Sequence, residues 1–394
     1  MSFLHQLNDR PGRWVRACAV LLVAGFSLAG GRAAQAPSAP AVRPLPSIKL
    51  SSAKLVKFPG GYNSNRKAAF LADSKCPSHW DGNTLYVFNS WEQPWRATGP
   101  DLFHLSKAVP SRFNAEGLTK LFIWIESTYR DDDGTVYAWV HNEVPDECPP
   151  RKDAIAGYPI VVRIGALKSK DNGMTWNHLG FVFEPSPTTI SCDTEDIWYA
   201  GGEGDFDVFL DSKKEYFYFF FTNYSSIPVE QGLCVGRMKY ADRNDPRGKV
   251  SVWHEGEWNE SALGGHATPI FPATVDLKRK DGQTFWGPAI HWNTYLNQYV
   301  MVLNRVKDTS WATEGIYISF SNDLADPKGW SVPQKIMDRE EATHADPGHV
   351  GNGWYGQVMG TGQGETDKLA GRVARLFVDG QSRWEIQFLK PGEK

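Results

Sequence analysis

The chain has 394 residues, a formal net charge of −3, 13 % aromatic residues, 16 Trp, 37 Gly and 25 Pro. That is enough chain for one large domain or two ordinary ones. So small a charge gives no electrostatic reason for a nucleic-acid or anionic-membrane partner, and the aromatic, Gly- and Pro-rich composition suits short strands and tight turns better than long helices.

Arg10, Arg13 and Arg16 precede the apolar run ACAVLLVAGFSLAG (17–30), which leads into small residues ending near Ala36. A basic start, a short apolar run and a small-residue exit predict a signal peptide over 1–36, too short for a membrane span. The mature chain is then expected to be secreted or periplasmic, with no membrane partner after cleavage. Residues 37–50 are rich in Pro and Ala and read as a linker, with one domain over 51–394. Cys76, Cys148, Cys192 and Cys234 remain in the mature segment. In an exported protein they allow up to two disulfides, with three pairings open.

Beyond the linker a pattern recurs. A turn followed by an aromatic strand appears as DGNTLYVFNS (81–90), DDGTVYAWVH (132–141), SKKEYFYFFFTN (212–223), YLNQYVMVLNR (295–305) and GNGWYGQVMG (351–360). Interleaved with these are hairpins such as RIGALKSKDNGMTWNHLGFVF (163–183) and GIYISFSNDLADPKGWSVPQKI (315–336). A further apolar stretch precedes each aromatic strand. Repeated four-strand units predict an all-β fold, a five-bladed β-propeller of four-stranded antiparallel blades.

SKDNGMTW (169–176) lies inside one hairpin. Asp171 can accept bonds from backbone N–H groups of the turn, Gly173 can supply positive φ, and Trp176 can pack between sheets. The stretch resembles the Asp box of sialidases and other propellers, which implies a structural role away from the catalytic face.

The turns SFSNDLADPKGW (319–330) and TGPDLFHL (98–105), with DPGHVGNGWY (346–355), resemble the five-bladed clan of arabinanases, α-L-arabinofuranosidases and β-xylosidases. That resemblance implies a glycoside hydrolase acting on an oligo- or polysaccharide. Carboxyl groups on the innermost strands would protonate the leaving oxygen and activate water or attack. A third would raise the acid's pKa. The chemistry requires no cofactor. His349 matches the axial histidine that would help hold a structural calcium ion through water.

The clan's first-blade Asp falls on Cys76, with Asp73 upstream as the candidate base or nucleophile. Its third-blade Asp falls on Asp205, as pKa modulator or base, and strand alternation puts Asp207 on the same face. Its fourth-blade acid falls on Trp286, leaving Glu126 or Glu203 as the candidate general acid. His79, Trp80, Arg130, Trp286 and His291 are candidate substrate-binding residues. Trp91, Trp95, Trp124, Trp198 and Trp292 are near enough to stack on sugar rings. Because two of the clan's acids are replaced, a non-catalytic carbohydrate-binding propeller is the alternative. A sialidase-like exo-glycosidase would need three arginines converging from among Arg130, Arg163, Arg237, Arg305 and Arg375.

Overall fold

Short aromatic and β-branched runs broken by Gly, Asp and Asn turns leave little room for helix, and the chain is nearly all β. A computed structural model describes residues 44–60, 73–91, 93–114, 123–144, 147–345 and 350–394. The predicted signal peptide and His349 lie outside the described residues.

Strand β1 (Ser47–Lys57) starts inside the stretch read as linker. An antiparallel run follows: β2 (Ser78–Asp81), β3 (Thr84–Trp91), β4 (Gln93–Gly99) and β5 (Val109–Pro110). The next run is β6 (Arg112–Asn114), β7 (Ile123–Arg130), β8 (Val136–Val144), β9 (Ile160–Ser169) and β10 (Thr175–Phe183), with β6 parallel to β10. Then come β11 (Tyr199–Leu210), β12 (Tyr216–Asn223), β13 (Gly232–Lys239), β14 (Val250–His254), β15 (Glu257–Ser261) and β16 (Phe271–Pro272). After them run β17 (Thr284–Asn293), β18 (Gln298–Val306), β19 (Thr313–Ser321), β20 (Gln334–Asp338) and the short helix α1 (Arg339–Thr343). The last strands are β21 (Gln357–Met359), β22 (Leu369–Ala370), β23 (Val373–Val378) and β24 (Gln381–Leu389). A parallel contact between β9 and β11 joins the second and third runs into one sheet. The stretch GNGWYGQVMG, expected as a second strand, instead supplies β21 at the edge of its sheet, in the order β1-β24-β23-β21.

Apolar layers lie between neighbouring runs. Trp139, Phe183, Phe217, Phe219 and Phe221 fill the space between β8–β10 and β11–β14. Val300, Ile316, Leu376 and Phe388 do the same between β18–β20 and β23–β24. The first strands β2, β7, β11 and β17 touch in that order, and β17 touches β21. The Cys76 N–H donates to Gln357 Oε1 at 2.7 Å, linking the segment before β2 to β21. These strands therefore surround one central column.

Each of three first strands is irregular at a similar level. Register shifts fall between Ile125 and Ser127 in β7, between Gly204 and Asp207 in β11, and between Trp286 and Ala289 in β17. A bulge breaks the two-residue alternation and re-aims the side chains beside it.

The turn at 169–176 closes as its composition requires. Asp171 accepts from the Thr175 N–H at 2.8 Å and from Thr175 Oγ1 at 2.7 Å. Gly173 has φ +77°, and a Cβ there would lie 2.4 Å from the Phe88 ring. Trp176 is fully buried, its ring centroid 5.8 Å from that of Phe88. Trp176→Ala should cost about 3–5 kcal/mol. Urea unfolding would show the loss, while ligand affinity at the central column should stay unchanged in the folded variant.

Cys148 and Cys192 form a disulfide, and Cys76 and Cys234 are buried thiols. Of the three pairings left open by the sequence, this bond selects Cys148 with Cys192.

Candidate active site

At one end of the column a cleft opens between an acidic wall and an aromatic wall. Asp73, His141 and Glu143 form the acidic side. Asp73 immediately precedes the buried segment Ser74–His79, and its N–H donates to Ser90 O at 3.0 Å. His141 and Glu143 are two residues apart on β8, so their side chains share a face. His141 Nδ1 accepts the Asp205 backbone N–H at 3.1 Å, so the ring proton sits on Nε2, which lies 3.5 Å from Glu143. Gly204 makes this approach possible, because a Cβ there would meet the His141 ring at 2.8 Å.

Asp205 lies beneath this wall, 1 % exposed. Its carboxylate accepts from the phenols of Tyr355 at 2.9 Å and Tyr199 at 3.3 Å, and from that of Tyr224. Burial and the Asp205 charge together push all three phenols well above their usual range. Beside them Glu126 pairs with Lys75 at 2.6 Å, both 1 % exposed. Burial raises the Glu126 carboxyl, and Lys75 opposes that rise. Burial also raises Asp73 well above an ordinary carboxyl, reinforced by the charges of Glu143, Asp205 and Glu126. At His141 burial acts to lower the pKa, but Glu143 and Asp205 raise it on balance.

Trp124, Trp198, Tyr199 and Trp286 face this acidic side, together with Trp311, Trp354 and Tyr355. Two buried aspartates hold that wall. Asp196 accepts from the backbone N–H groups of Trp198 at 2.7 Å and Tyr199 at 3.0 Å, and from Trp311 Nε1 at 3.0 Å. Asp379 accepts from the N–H groups of Gly353 at 2.8 Å and Trp354 at 2.9 Å. Burial pushes each up to about 6. Among the described residues the buried Trp286 and Trp198 indole N–H groups have no hydrogen-bond partner. Asp205, Trp311 and Tyr355 all have positive φ, at 41°, 54° and 55°. Side chains as bulky as Trp and Tyr rarely adopt that conformation, and such strain concentrates at functional sites.

The structure brings Asp73, Glu126, Asp205, Trp124, Trp198 and Trp286 together at this end of the column, and several other sequence candidates lie elsewhere. Asp205 and Asp207 do not share a face, because the β11 bulge separates them. Asp207 lies in a second polar layer, where it binds Lys368 and accepts the Ile290 N–H at 2.7 Å. Lys368 also contacts Asp367 at 3.2 Å, and Asp367 accepts from Ser78. Glu203 lies away from the cleft, near Arg163, Glu230 and Glu184, and burial pushes it up to about 8. Cys76 sits in an apolar layer with Leu85 and Val87. His79 stacks on Tyr86 beside the 169–176 turn, Trp80 donates to Glu365 O at 2.7 Å, and Arg130 pairs with Asp81 at 2.6 Å. His291 packs on Phe388 near Lys368. Trp124 and Trp198 reach the cleft, while Trp80, Trp95 and Trp292 pack in the layers between sheets. His141, Glu143, Tyr199, Trp311, Trp354 and Tyr355 were not singled out from the sequence. For His141 and Glu143 the signal was present, as two polar residues at a two-residue spacing on a strand.

Among the described residues no arginine lines the cleft. Arg163 pairs with Glu147, Arg237 lies between Tyr216 and Trp258, and Arg375 binds Ser382 and the Trp384 carbonyl. Among the described residues no cluster of His, Cys, Asp and Glu is arranged to hold a metal ion.

Burial holds His79 and His291 down at about 3. The unfolded chain takes up those protons near 6.5. Their contribution is therefore full above about pH 6.5 and is lost as pH falls toward 3. At pH 5 each histidine should cost about 2 kcal/mol. His291→Phe should flatten the acid side of a stability-against-pH curve measured by urea unfolding.

No family model and no curated protein matches this sequence. Among solved structures the chain is similar to an exo-β-1,3-galactanase from Phanerochaete chrysosporium crystallised with β-1,3-galactotriose, at 13 % identity and TM-score 0.46, covering 85 % of this chain and 64 % of that one. It thus spans less than two thirds of that galactanase. It is also similar to an endo-arabinase from Bacteroides thetaiotaomicron, at 12 % identity and TM-score 0.44, covering 82 % of this chain and 94 % of that one. A third is the catalytic domain of a Coprinopsis cinerea α-L-arabinofuranosidase, at 10 % identity and TM-score 0.45, covering 87 % and 96 %.

Proposed function

We propose that this protein is a glycoside hydrolase built on a five-bladed β-propeller, with its active site in the cleft at the end of the central column. The antiparallel runs beginning at β2, β7, β11, β17 and β21 are the blades, and apolar layers between neighbours hold them together. The observation that carries the function is one pair of carboxyl groups. Asp73 and Glu143 face an aromatic wall, and among the described residues neither has a Lys or Arg partner. The other acids are tied down, Glu126 by Lys75 and Asp207 by Lys368.

In this reading Asp73, whose carboxyl burial raises above its ordinary range, gives a proton to the leaving glycosidic oxygen. Glu143 either takes the proton of the attacking water or attacks the anomeric carbon itself. Water ends on the anomeric carbon and the proton on the leaving alcohol. His141 orients Glu143, and Asp205 orients His141 through its backbone N–H while its charge raises Asp73. The aromatic wall stacks on the sugar ring. The predicted leader and the Cys148–Cys192 disulfide both suit an oxidising compartment outside the cytoplasm.

The test is sugar release by residues 37–394 from arabinan, xylan, galactan, fructan and aryl glycosides. Release that vanishes in Asp73→Asn, with an unchanged circular dichroism spectrum, supports the reading. No release from any of them favours the carbohydrate-binding alternative, which the Lys75–Glu126 and Lys368–Asp207 pairs suit because they neutralise acids of the column.

A further inference from the structure

We infer that the sugar held in this cleft carries a free amine, so that the substrate is an amino sugar whose ammonium group sits between the acidic and aromatic walls. This rests on the glycoside hydrolase reading and narrows its substrate class.

Three observations converge. The first is charge. Asp73, Glu126, Glu143 and Asp205 gather at this end of the column, and Lys75, already paired with Glu126, is the lysine among them. Among the described residues no Lys or Arg lines the cleft itself. A concave site with low-dielectric aromatic walls focuses such an imbalance on whatever enters. Anionic sugars are repelled, and a cation meets Asp73 and Glu143, with His141 the one basic side chain among the described lining residues.

The second is the opposite wall. Trp198, Tyr199, Trp286, Trp311, Trp354 and Tyr355 bring indole and phenol rings into one small space. They meet largely edge to face, with Trp286 centroids 5.6 Å from Trp311, 5.9 Å from Trp354 and 5.4 Å from Tyr355. A neutral sugar needs one or two ring faces to stack on. Several indole and phenol rings opposite Asp73 and Glu143 suit an ammonium group by cation–π attraction.

The third identifies the rest of the ligand. Trp286 is 2 % exposed, and among the described residues its indole N–H has no acceptor. Trp198 Nε1 is likewise unpartnered. A buried donor without an acceptor is costly unless a ligand supplies one. The ligand therefore presents oxygens as well as a cation, and a pyranose or furanose bearing one amine and several hydroxyls meets both needs.

The experiment is equilibrium binding of glucosamine, N-acetylglucosamine and glucose to residues 37–394, read by tryptophan fluorescence. Glucosamine should bind at least about tenfold tighter than either neutral sugar. The preference should shrink as salt rises from about 20 to about 500 mM. Glu143→Gln should abolish it, and the salt series on the wild-type protein gives the same readout should that variant fail to fold. Equal binding of the three sugars, or tighter binding of the N-acetyl form, overturns the amine assignment and leaves the hydrolase reading in place. No binding of any of the three, with no release from the polysaccharide panel, overturns both.

Discussion

Asp73→Asn is expected to lower cleavage of natural glycosides by about 10²–10⁴-fold, the usual contribution of a positioned proton donor. Glu143→Gln should fall at least as far. The two variants separate by leaving group. An activated aryl glycoside departs with little protonation, so it should recover much of the activity of Asp73→Asn and little of that of Glu143→Gln. The reverse pattern would exchange the two roles. The pH profile follows from the same assignment. Asp73 must be protonated to act, and burial with three neighbouring acids raises its pKa. Activity should therefore fall as pH rises through that raised value, and Asp205→Asn, which removes one of those charges, should move that limb to lower pH. Unchanged kinetics in both Asp73→Asn and Glu143→Gln would end the hydrolase reading.

Lys75→Met is expected to be the most destabilising single change in the column. Lys75 and Glu126 are 1 % exposed and 2.6 Å apart, and removing the lysine leaves a carboxylate buried near Asp205 and Asp73. Breaking such a pair costs about 3–5 kcal/mol. The double variant Lys75→Met/Glu126→Leu should regain most of that loss, because neither charge then needs compensation. Urea unfolding of the two single variants and the double completes the cycle. Should the double variant prove as unstable as Lys75→Met alone, the methylene packing of Lys75 would be what matters.

The strands were legible because their chemistry is local. DGNTLYVFNS and SKKEYFYFFFTN carry turn residues and then aromatic alternation, and they appear as the hairpins β2–β3 and β11–β12. The turn at Asp171 and Gly173 was equally readable, since four or five residues close it. The site was less so. Reading β11 by strict alternation put Asp205 and Asp207 on one face, but the bulge at Asp205 turns one toward Tyr355 and the other toward Lys368. A bulge depends on pairing with β12 and on its fit against His141, which the hydrophobic pattern of β11 does not carry. Transfer by resemblance placed the first acid on Cys76, which the fold packs among Leu85 and Val87, whereas Asp73 reaches the cleft. Glu143 was not legible as a site residue, because it comes from a second strand, β8, and not from an innermost one. Trp354 and Tyr355 were legible as aromatic residues, but their place depends on Asp379, which is distant in sequence.

Strand β1 pairs with β24 from Ser47 with Leu389 to Lys57 with Gln381, across about 320 intervening residues. One sheet is thus assembled from segments far apart in the chain, and it contributes β21 to the column. Tyr355, which binds Asp205, lies two residues before β21. Closing so long a loop is entropically costly and late, so maturation of the site should trail the formation of the intermediate hairpins. A newly made chain would pass through a stage with most of its sheets formed and no working cleft. In the proposed reading of an exported hydrolase, that delay would keep the chemistry off until the whole polypeptide had arrived.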